Sequence, residues 1–498
     1  MSARCSGGSE PHLRGKRGGQ VLPPGRPKAK RAPSGGSGYA QRASVGALAK
    51  AQQVAVIGGG WAGMAAAVTL AQAGQQVTLY EAARNWGGRA RALNLDTPEG
   101  PLTLDNGQHI LIGAYTDSLA LMRSVGVAVD EALLRLPMTL RYADGAGLAF
   151  PDWAPPLDAL AGIAGARGWS WHEKRALLAR ATRWRLQGFR CDDAASVADL
   201  CTALPRKLMD EFIAPLCVSA LNTPPEISSG AVFLRVLRDA LFSGRGGSHF
   251  LLPRIDLGRI FPDTAAAWLQ ERGHDLRLAC RAEQLQADGR HWRVDGQRFD
   301  AVLLATTSHE AARLVQGAAL DGQDPDTATD LQQWSDCASG LEHTAIATVY
   351  ARTREPGQRL PSALPVMAMR PAPGAPAQFV FDRGHLGGPA GLMAFVVSAS
   401  QASRADTESQ VLAQAARELG WHGMQPLTTV IDKRATFACT PGLQRPGQAL
   451  APGLWACGDY VDGPYPATLE GAVRSGMAAA RQARAGRSPL TAGASTPS

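Results

Sequence analysis

Aromatic residues make up only 6% of this 498-residue chain, and no apolar run is convincing as a membrane span. The nearest, Val54 to Ala71, is about the minimum spanning length, but it contains four Gly and breaks into strand, turn and helix. The eight Cys are scattered, without C-x-x-C and without His at zinc spacing, so no metal site is expected. In a long chain without a 7–15-residue apolar export signal they read as reduced thiols of a cytoplasmic protein. The chain also lacks G-x-S-x-G, H-E-x-x-H and G-x-x-x-x-G-K-[ST], which removes the commonest serine hydrolase, zinc protease and P-loop readings. Acidic residues are missing from one region above all. Residues 1–50 hold ten Lys/Arg and one Glu, a balance of +9, which leaves 41 basic against 42 acidic residues elsewhere. The net charge of +8 therefore belongs to a tail, and nucleic acid is not an expected partner of the nearly neutral body. The tail, with its "RPKAKR" run at Arg26–Arg31 and no apolar periodicity, is expected to be disordered, as are residues 487–498. A start codon placed too early is the blander reading, since no Met falls between Met1 and Met64.

What the chain does contain begins at Gln53. "QVAVI" is a β-branched run of the kind buried in a parallel sheet, followed by a Gly-rich turn. An Ala-rich helix from Met64 to Ala73 ends at Gly74, and "QVTLYE" at Gln76–Glu81 is a second strand. Helical spacing dominates from about 110 to 270, notably in Ser118–Val125, His172–Phe189 and Ala231–Phe242. Strands return in "LRLACRAEQLQ", "HWRV" and "FDAVLLAT" between 275 and 305, then alternate with one helix, Glu408–Leu419. The C-terminal part reads strand ("GLWACGD"), Pro-rich loop and helix from Leu469 to about Ala483. Sheet-type elements thus lie at both ends and in the middle, so a second domain is inserted into the first. The expected fold class is α/β, a Rossmann-type cofactor domain (51–110, 271–320 and 445–486) with an inserted α+β substrate domain (111–270 and 321–444).

Gly58-x-Gly60-x-x-Gly63 follows the first strand and opens the first helix. The first Gly permits the turn, the second lets a pyrophosphate approach the backbone, and the third allows close helix–strand packing. Glu81 ends the next strand 23 residues after Gly58, where an acid accepts ribose hydroxyls. Gly87-Gly88-Arg89 follows six residues later; Arg89 would neutralise phosphate charge, its plainer alternative being a solvated loop residue. Gly458-Asp459 precedes "PATLEGAVRSG", where a small-residue helix starts near Leu469–Glu470 and aims N–H groups at an electron-rich ring. Close helix packing alone would also explain Gly471, Ala472, Ser475 and Gly476.

E-x5-G-G-R after a β-α-β unit resembles the amine oxidase and carotenoid desaturase superfamily of FAD enzymes. That resemblance implies FAD as cofactor, with Gly87–Arg89 along the pyrophosphate and flavin and Asp459 at the ribityl chain. It also places Gly107, Gln108 and Ala282 beside the cofactor. "LDNGQHILIGAY" from Leu104 and "DKRATFACTPGLQRP" from Asp432 are similar to the squalene-associated branch, the hydroxysqualene dehydroxylases. Thr307 stands where that branch usually has Pro. The branch implies a long isoprenoid substrate whose allylic hydroxyl is replaced by hydrogen, giving squalene for hopanoid synthesis, with an external electron donor. Protonation of the leaving group calls for an acid, and His109 is the first candidate, with a merely pocket-shaping role as the alternative. Asp105 and Tyr115 are weaker candidates and are given no catalytic role. Carotenoid desaturation, amine oxidation and a non-enzymatic flavin protein compete. Amine oxidation is the harder to support with so few aromatics for a cage. A C30 substrate dissolves in membranes, so "LDALAGIAGARGW" at Leu157–Trp169 is expected either to dock on the inner face of the cytoplasmic membrane or to form an ordinary buried helix.

Overall fold

A computed structural model describes residues 51–319, 324–355, 357–360 and 364–486. The expected tail 1–50 and the C-terminal 487–498 lie outside the described residues.

The strand Gln53–Ile57 buries four of its five residues, as an apolar run needs when both faces of its sheet are covered. It pairs in parallel with Gln76–Tyr80 on one side and Ala301–Leu304 on the other. Asp275–Arg277 and Leu454–Ala456 extend the two flanks in parallel, and Ala449–Ala451 closes an edge antiparallel to make six strands. The sheet thus draws on the beginning, middle and end of the chain. The helix Trp61–Gln72 has nine of its twelve residues buried, because its Ala side chains let it lie between the sheet and the helix Leu469–Ala485. A Cβ on Gly476 of the latter would stand 2.1 Å from the Ala62 carbonyl, so only glycine permits that crossing.

The second part of the molecule carries a five-stranded antiparallel sheet in the order Val366–Ala368, Phe379–Asp382, Leu392–Ser400, His343–Arg352, Gln425–Phe437. The helix Arg404–Leu419 buries Val411 and Ala415 with that sheet's Met393 and Phe395. Helices at Thr116–Ser124, Trp171–Leu186 and Gly230–Phe242 match the expected periodic stretches. Among the described residues no helix is long and apolar enough to cross a membrane.

Two expectations need correction. "LRLACRAEQLQ" is not one strand; only Asp275–Arg277 and Leu285–Asp288 are extended in the sheets. Between them Ala279 adopts a φ of +52°, and the Ala279 and Cys280 N–H groups donate to the carbonyls of Ala83 and Glu81 at 2.9 Å. The domain boundaries at 110/111 and 270/271 also cut through one core. Leu119, Met122, Leu251, Leu257, Phe261 and Leu269 pack with Val54, Met64, Val77 and Val473 of the Rossmann part. The helix Pro262–Gln270 packs on Trp61–Gln72 and the helix Thr116–Ser124 on Leu469–Ala485, with the Trp61 and Phe261 rings 5.3 Å apart. Likewise Leu331 and Trp334 of the helix Pro325–Ser339 pack with Val302, Leu304 and Leu454 rather than with the inserted sheet.

Candidate flavin site

The Gly-rich turn has the shape its sequence requires. Gly58 holds a φ of +111°, and a Cβ there would lie 2.5 Å from the Ala305 carbonyl oxygen. A Cβ on Gly63 would fall 1.8 Å from the Gly58 carbonyl oxygen, so its role is close packing of helix on strand. Gly60 differs. It precedes the helix at φ −76°, and beyond its own helix and chain neighbours a Cβ there would meet nothing closer than the Gly87 oxygen and the Gly88 Cα, both at 3.9 Å. The space beside Gly60 is thus a cradle that glycine leaves open at the positive end of a twelve-residue helix, where a phosphate is favoured.

Glu81 closes one side of that cradle. Its two carboxylate oxygens accept from the Gly59 and Ala83 N–H groups, each at 2.7 Å. Both oxygens keep lone pairs for ribose hydroxyls. Gly87 closes the other side: its N–H donates to the Gly59 carbonyl at 2.9 Å, and Gly60 and Gly87 bridge in parallel. Gly88 follows at a φ of +60°. Arg89 forms an ion pair with Asp459 and donates to the Ala435 carbonyl at 2.7 Å. The arginine expected along the pyrophosphate and flavin and the aspartate expected at the ribityl chain therefore meet. Gly458 donates its N–H to Ser475 Oγ at 3.1 Å, tying the Gly-Asp turn to the C-terminal helix. The Tyr460 hydroxyl beside this turn is buried and has no partner among the described residues. An open glycine cradle, an anchored acid, an arginine and an orphaned hydroxyl converge here, a donor set that fits FAD.

Other partners surround the remaining candidates. Glu470 is fully buried, and its carboxylate accepts from the Asp117 and Ser118 N–H groups at 3.1 and 3.0 Å and from Ser118 Oγ at 2.6 Å. It clamps the N-terminus of the helix Thr116–Ser124, with Arg474 at 2.8 Å, so only its main-chain N–H remains for a cofactor. Leu469 beside it begins the helix capped by Thr468, whose hydroxyl accepts from Gly471 at 2.9 Å. Ala282 is buried, and its carbonyl accepts from Arg313 at 2.9 Å. The turn at Ala279–Cys280 holds that segment against Glu81. Gly107 and Gln108 lie on the inserted sheet's side, where Gln108 Oε1 accepts from the buried Arg383 at 3.0 Å.

His109 is half-buried, with Nδ1 2.7 Å from the Gly107 carbonyl. A carbonyl only accepts, so Nδ1 carries the proton and Nε2 of the neutral ring is an acceptor. Burial pushes the imidazole below its usual 6.5, with nearby Arg89 acting the same way and the Gly107 bond and Asp432 opposing. This geometry favours the pocket-shaping alternative, with Nε2 of the neutral ring free to accept a hydrogen bond. The Cys457 thiol is buried and pushed up to about 12 by desolvation, so it does not supply a thiolate for flavin attachment.

Sequence reading named Asp105 behind Gln108 but missed the groups that surround it. Asp105 is 1% exposed; its Oδ1 accepts from the Leu257 N–H at 2.7 Å, while Oδ2 faces Arg383 at 3.8 Å. Burial, outweighing Arg383, raises the Asp105 carboxyl to about 6. Tyr350 donates its hydroxyl to the Asp105 carbonyl at 2.9 Å. Arg383 and Tyr350 sit 275 and 245 residues from their partners, and no local pattern marks them. A surface cavity of about 360 Å³ on the inserted sheet, lined by Pro371, Gln378, Val397 and Thr407 among others, includes none of the motif residues.

The fold and this cradle define a flavoprotein oxidoreductase. Residues 61–484 match the model of the flavin containing amine oxidoreductases, and the chain belongs to that family. It is 28% identical to a hydroxysqualene dehydroxylase of Rhodopseudomonas palustris over 86% of this chain and 97% of that protein. A hydroxyneurosporene desaturase of Rhodobacter capsulatus is 38% identical over 22% of this chain and 23% of its own length. The solved cyclohexylamine oxidase of Brevibacterium oxydans shares the fold with a TM-score of 0.63, at 14% identity over 87% of this chain and 98% of that one. FAD is the cofactor.

Proposed function

We propose that this flavoprotein removes the allylic hydroxyl of hydroxysqualene reductively, leaving squalene. The observation that carries the reading is the likeness to the Rhodopseudomonas palustris dehydroxylase along almost its whole length, where the desaturase likeness is confined to under a quarter. Bound in its reduced form, FAD would supply the hydride that replaces the hydroxyl, and an external donor would restore it. The chain's own residues bind and orient. Gly60 opens the phosphate cradle, Glu81 takes the adenosine ribose, and Asp459, held by Arg89, takes the ribityl end. His109 offers Nε2 as an acceptor and so fixes a donor group of cofactor or substrate. The C–O bond breaks with uptake of one proton, and the hydroxyl departs as water.

The test is anaerobic. Enzyme-bound flavin is reduced photochemically, hydroxysqualene is added in detergent, and the oxidised flavin band is followed. Reoxidation with one squalene per flavin is the expected result. An inert reduced enzyme, together with oxidised enzyme that bleaches with phytoene or squalene, would establish desaturation instead.

A further inference from the structure

Among the described residues seven large apolar side chains are strongly exposed, and four of them fall within residues 153–171: Trp153 (55%), Leu157 (58%), Leu160 (45%) and Trp171 (65%). Leu157 and Leu160 share one face of the short helix Leu157–Ala164 by their three-residue spacing. Trp153 lies just before that helix, where the Leu157 N–H returns to the Ala154 carbonyl at 3.0 Å. Trp171 opens the next helix, Trp171–Leu186. Lys174 joins the two: its ammonium donates to the Ala164 carbonyl at 2.8 Å and lies 5.0 Å from the Trp171 ring centre. The four side chains therefore form one patch at the junction of two helices. A solvated surface has no use for two exposed tryptophans in nineteen residues, whereas an indole suits the boundary between headgroups and acyl chains.

The charge around the patch points to one kind of partner. Residues 166–190 contain seven Lys/Arg and one acid, Glu173. Glu173 is consumed by the capping box with Ser170, and the nearby Asp152 is paired with Arg245 at 3.2 Å. Arg167, Arg175 and Arg183 are exposed, and none has a carboxylate partner among the described residues. Apolar tips beside unpaired cations are the arrangement of an interfacial helix on anionic lipid.

We propose that the Trp153–Trp171 patch docks the protein on the surface of a bilayer containing anionic phospholipid. Leu157, Leu160 and the two indoles enter the headgroup–acyl boundary, and Arg167, Arg175 and Arg183 meet phosphates. The proposal draws its purpose from the isoprenoid reading above, since such a substrate partitions into lipid, but its geometry is independent of that reading.

The test uses the full chain with bound FAD and vesicles of phosphatidylcholine alone or mixed with phosphatidylglycerol. Wild type should co-sediment with the mixed vesicles and be released by detergent, with only partial release at about 1 M salt, where the Debye length is about 3 Å. The quadruple variant Trp153→Ser, Leu157→Ser, Leu160→Ser, Trp171→Ser changes only exposed side chains and should keep the flavin spectrum. Its vesicle partition should fall on the order of a hundred-fold. Replacing Arg167, Arg175 and Arg183 by Gln should cost on the order of a hundred-fold on the anionic vesicles and leave binding to phosphatidylcholine unchanged. Undiminished, salt-releasable binding of the quadruple variant would overturn the proposal and assign attachment to residues 1–50. Absence of wild-type binding would overturn it outright. Turnover of hydroxysqualene in detergent micelles is measured beside it. Failure there refutes the proposed reaction and leaves the vesicle result standing.

Discussion

Replacing Gly60 by Ala should abolish tight FAD binding while leaving the apoprotein as stable as before. Beyond its own helix and chain neighbours the added Cβ meets nothing closer than 3.9 Å, and the φ of −76° suits any residue. Alanine is a poorer helix N-cap than glycine, which costs a few tenths of a kcal/mol or more, but it narrows the unfolded ensemble by about 0.4–1 kcal/mol. The two effects nearly cancel. The methyl group instead occupies the open side of the cradle. If it displaces a phosphate from two main-chain N–H groups, at roughly 1.5–3 kcal/mol each, the dissociation constant rises by two orders of magnitude or more.

Gly63→Ala, three residues on, is the control. Its Cβ would stand 1.8 Å from the Gly58 oxygen, so helix and strand must separate by more than 1 Å. The gain in helix propensity, about 1 kcal/mol, does not offset such overpacking, and the apoprotein itself should lose on the order of 2–4 kcal/mol. Thermal unfolding of each apoprotein and titration with FAD, followed by quenching of flavin fluorescence, separate the two cases. A Gly60→Ala protein that binds FAD within two-fold of wild type would refute the assignment of the cradle.

Glu81→Gln keeps the shape of the side chain but removes charge-assisted acceptance from Gly59, Ala83 and a ribose. FAD retention on gel filtration should fall, less than for Glu81→Ala, and full retention by both would take Glu81 out of the site. Glu470→Ala leaves the Asp117 and Ser118 N–H groups buried without their carboxylate. It should lower stability by about 3–5 kcal/mol in denaturant unfolding, and a loss confined to FAD affinity would contradict the clamp. His109→Asn should change turnover without altering the shape of the pH profile between about pH 7 and 8.5, because a proton-donating His109 would act only below its depressed pKa, under 6.5. A limb that falls with rising pH in wild type and vanishes in the variant would restore it as the acid. Asp105 has a folded pKa of about 6 against 3.8 unfolded, so between those values the unfolded chain binds fewer protons and stability from this group falls as pH rises. About 2–3 kcal/mol is at stake, and Asp105→Asn should flatten that slope in unfolding measured from about pH 4 to 7.

The Rossmann part was readable because its signals are local. A buried parallel strand is a continuous apolar run, Gly58 and Gly63 answer to contacts within the same β-α-β unit or its neighbouring strand, and Gly60 answers to the space left open beside it. Glu81 was readable for the same reason, since strand length fixes where it emerges beside Gly59. Domain boundaries were not. The helix Thr116–Ser124 has an ordinary amphipathic pattern, and nothing in it says whether its apolar side faces the first helix or the inserted sheet.

The same limit governs the site chemistry. Glu470 lies in a motif that marks the flavin helix, yet a carboxylate at that position has two ways to be satisfied. Toward the cofactor it would face negative charge; inward it finds three donors at the start of another helix and Arg474 one turn away. The inward arrangement pairs a buried charge fully, and burial without such pairing costs several kcal/mol. His109 follows the same logic at smaller scale. The Gly107 carbonyl two residues back takes its Nδ1 proton, and that single bond fixes the tautomer and makes Nε2 an acceptor. The sequence names the residues at a flavin site, but the donors already in place around each side chain decide which way its lone pairs and protons point.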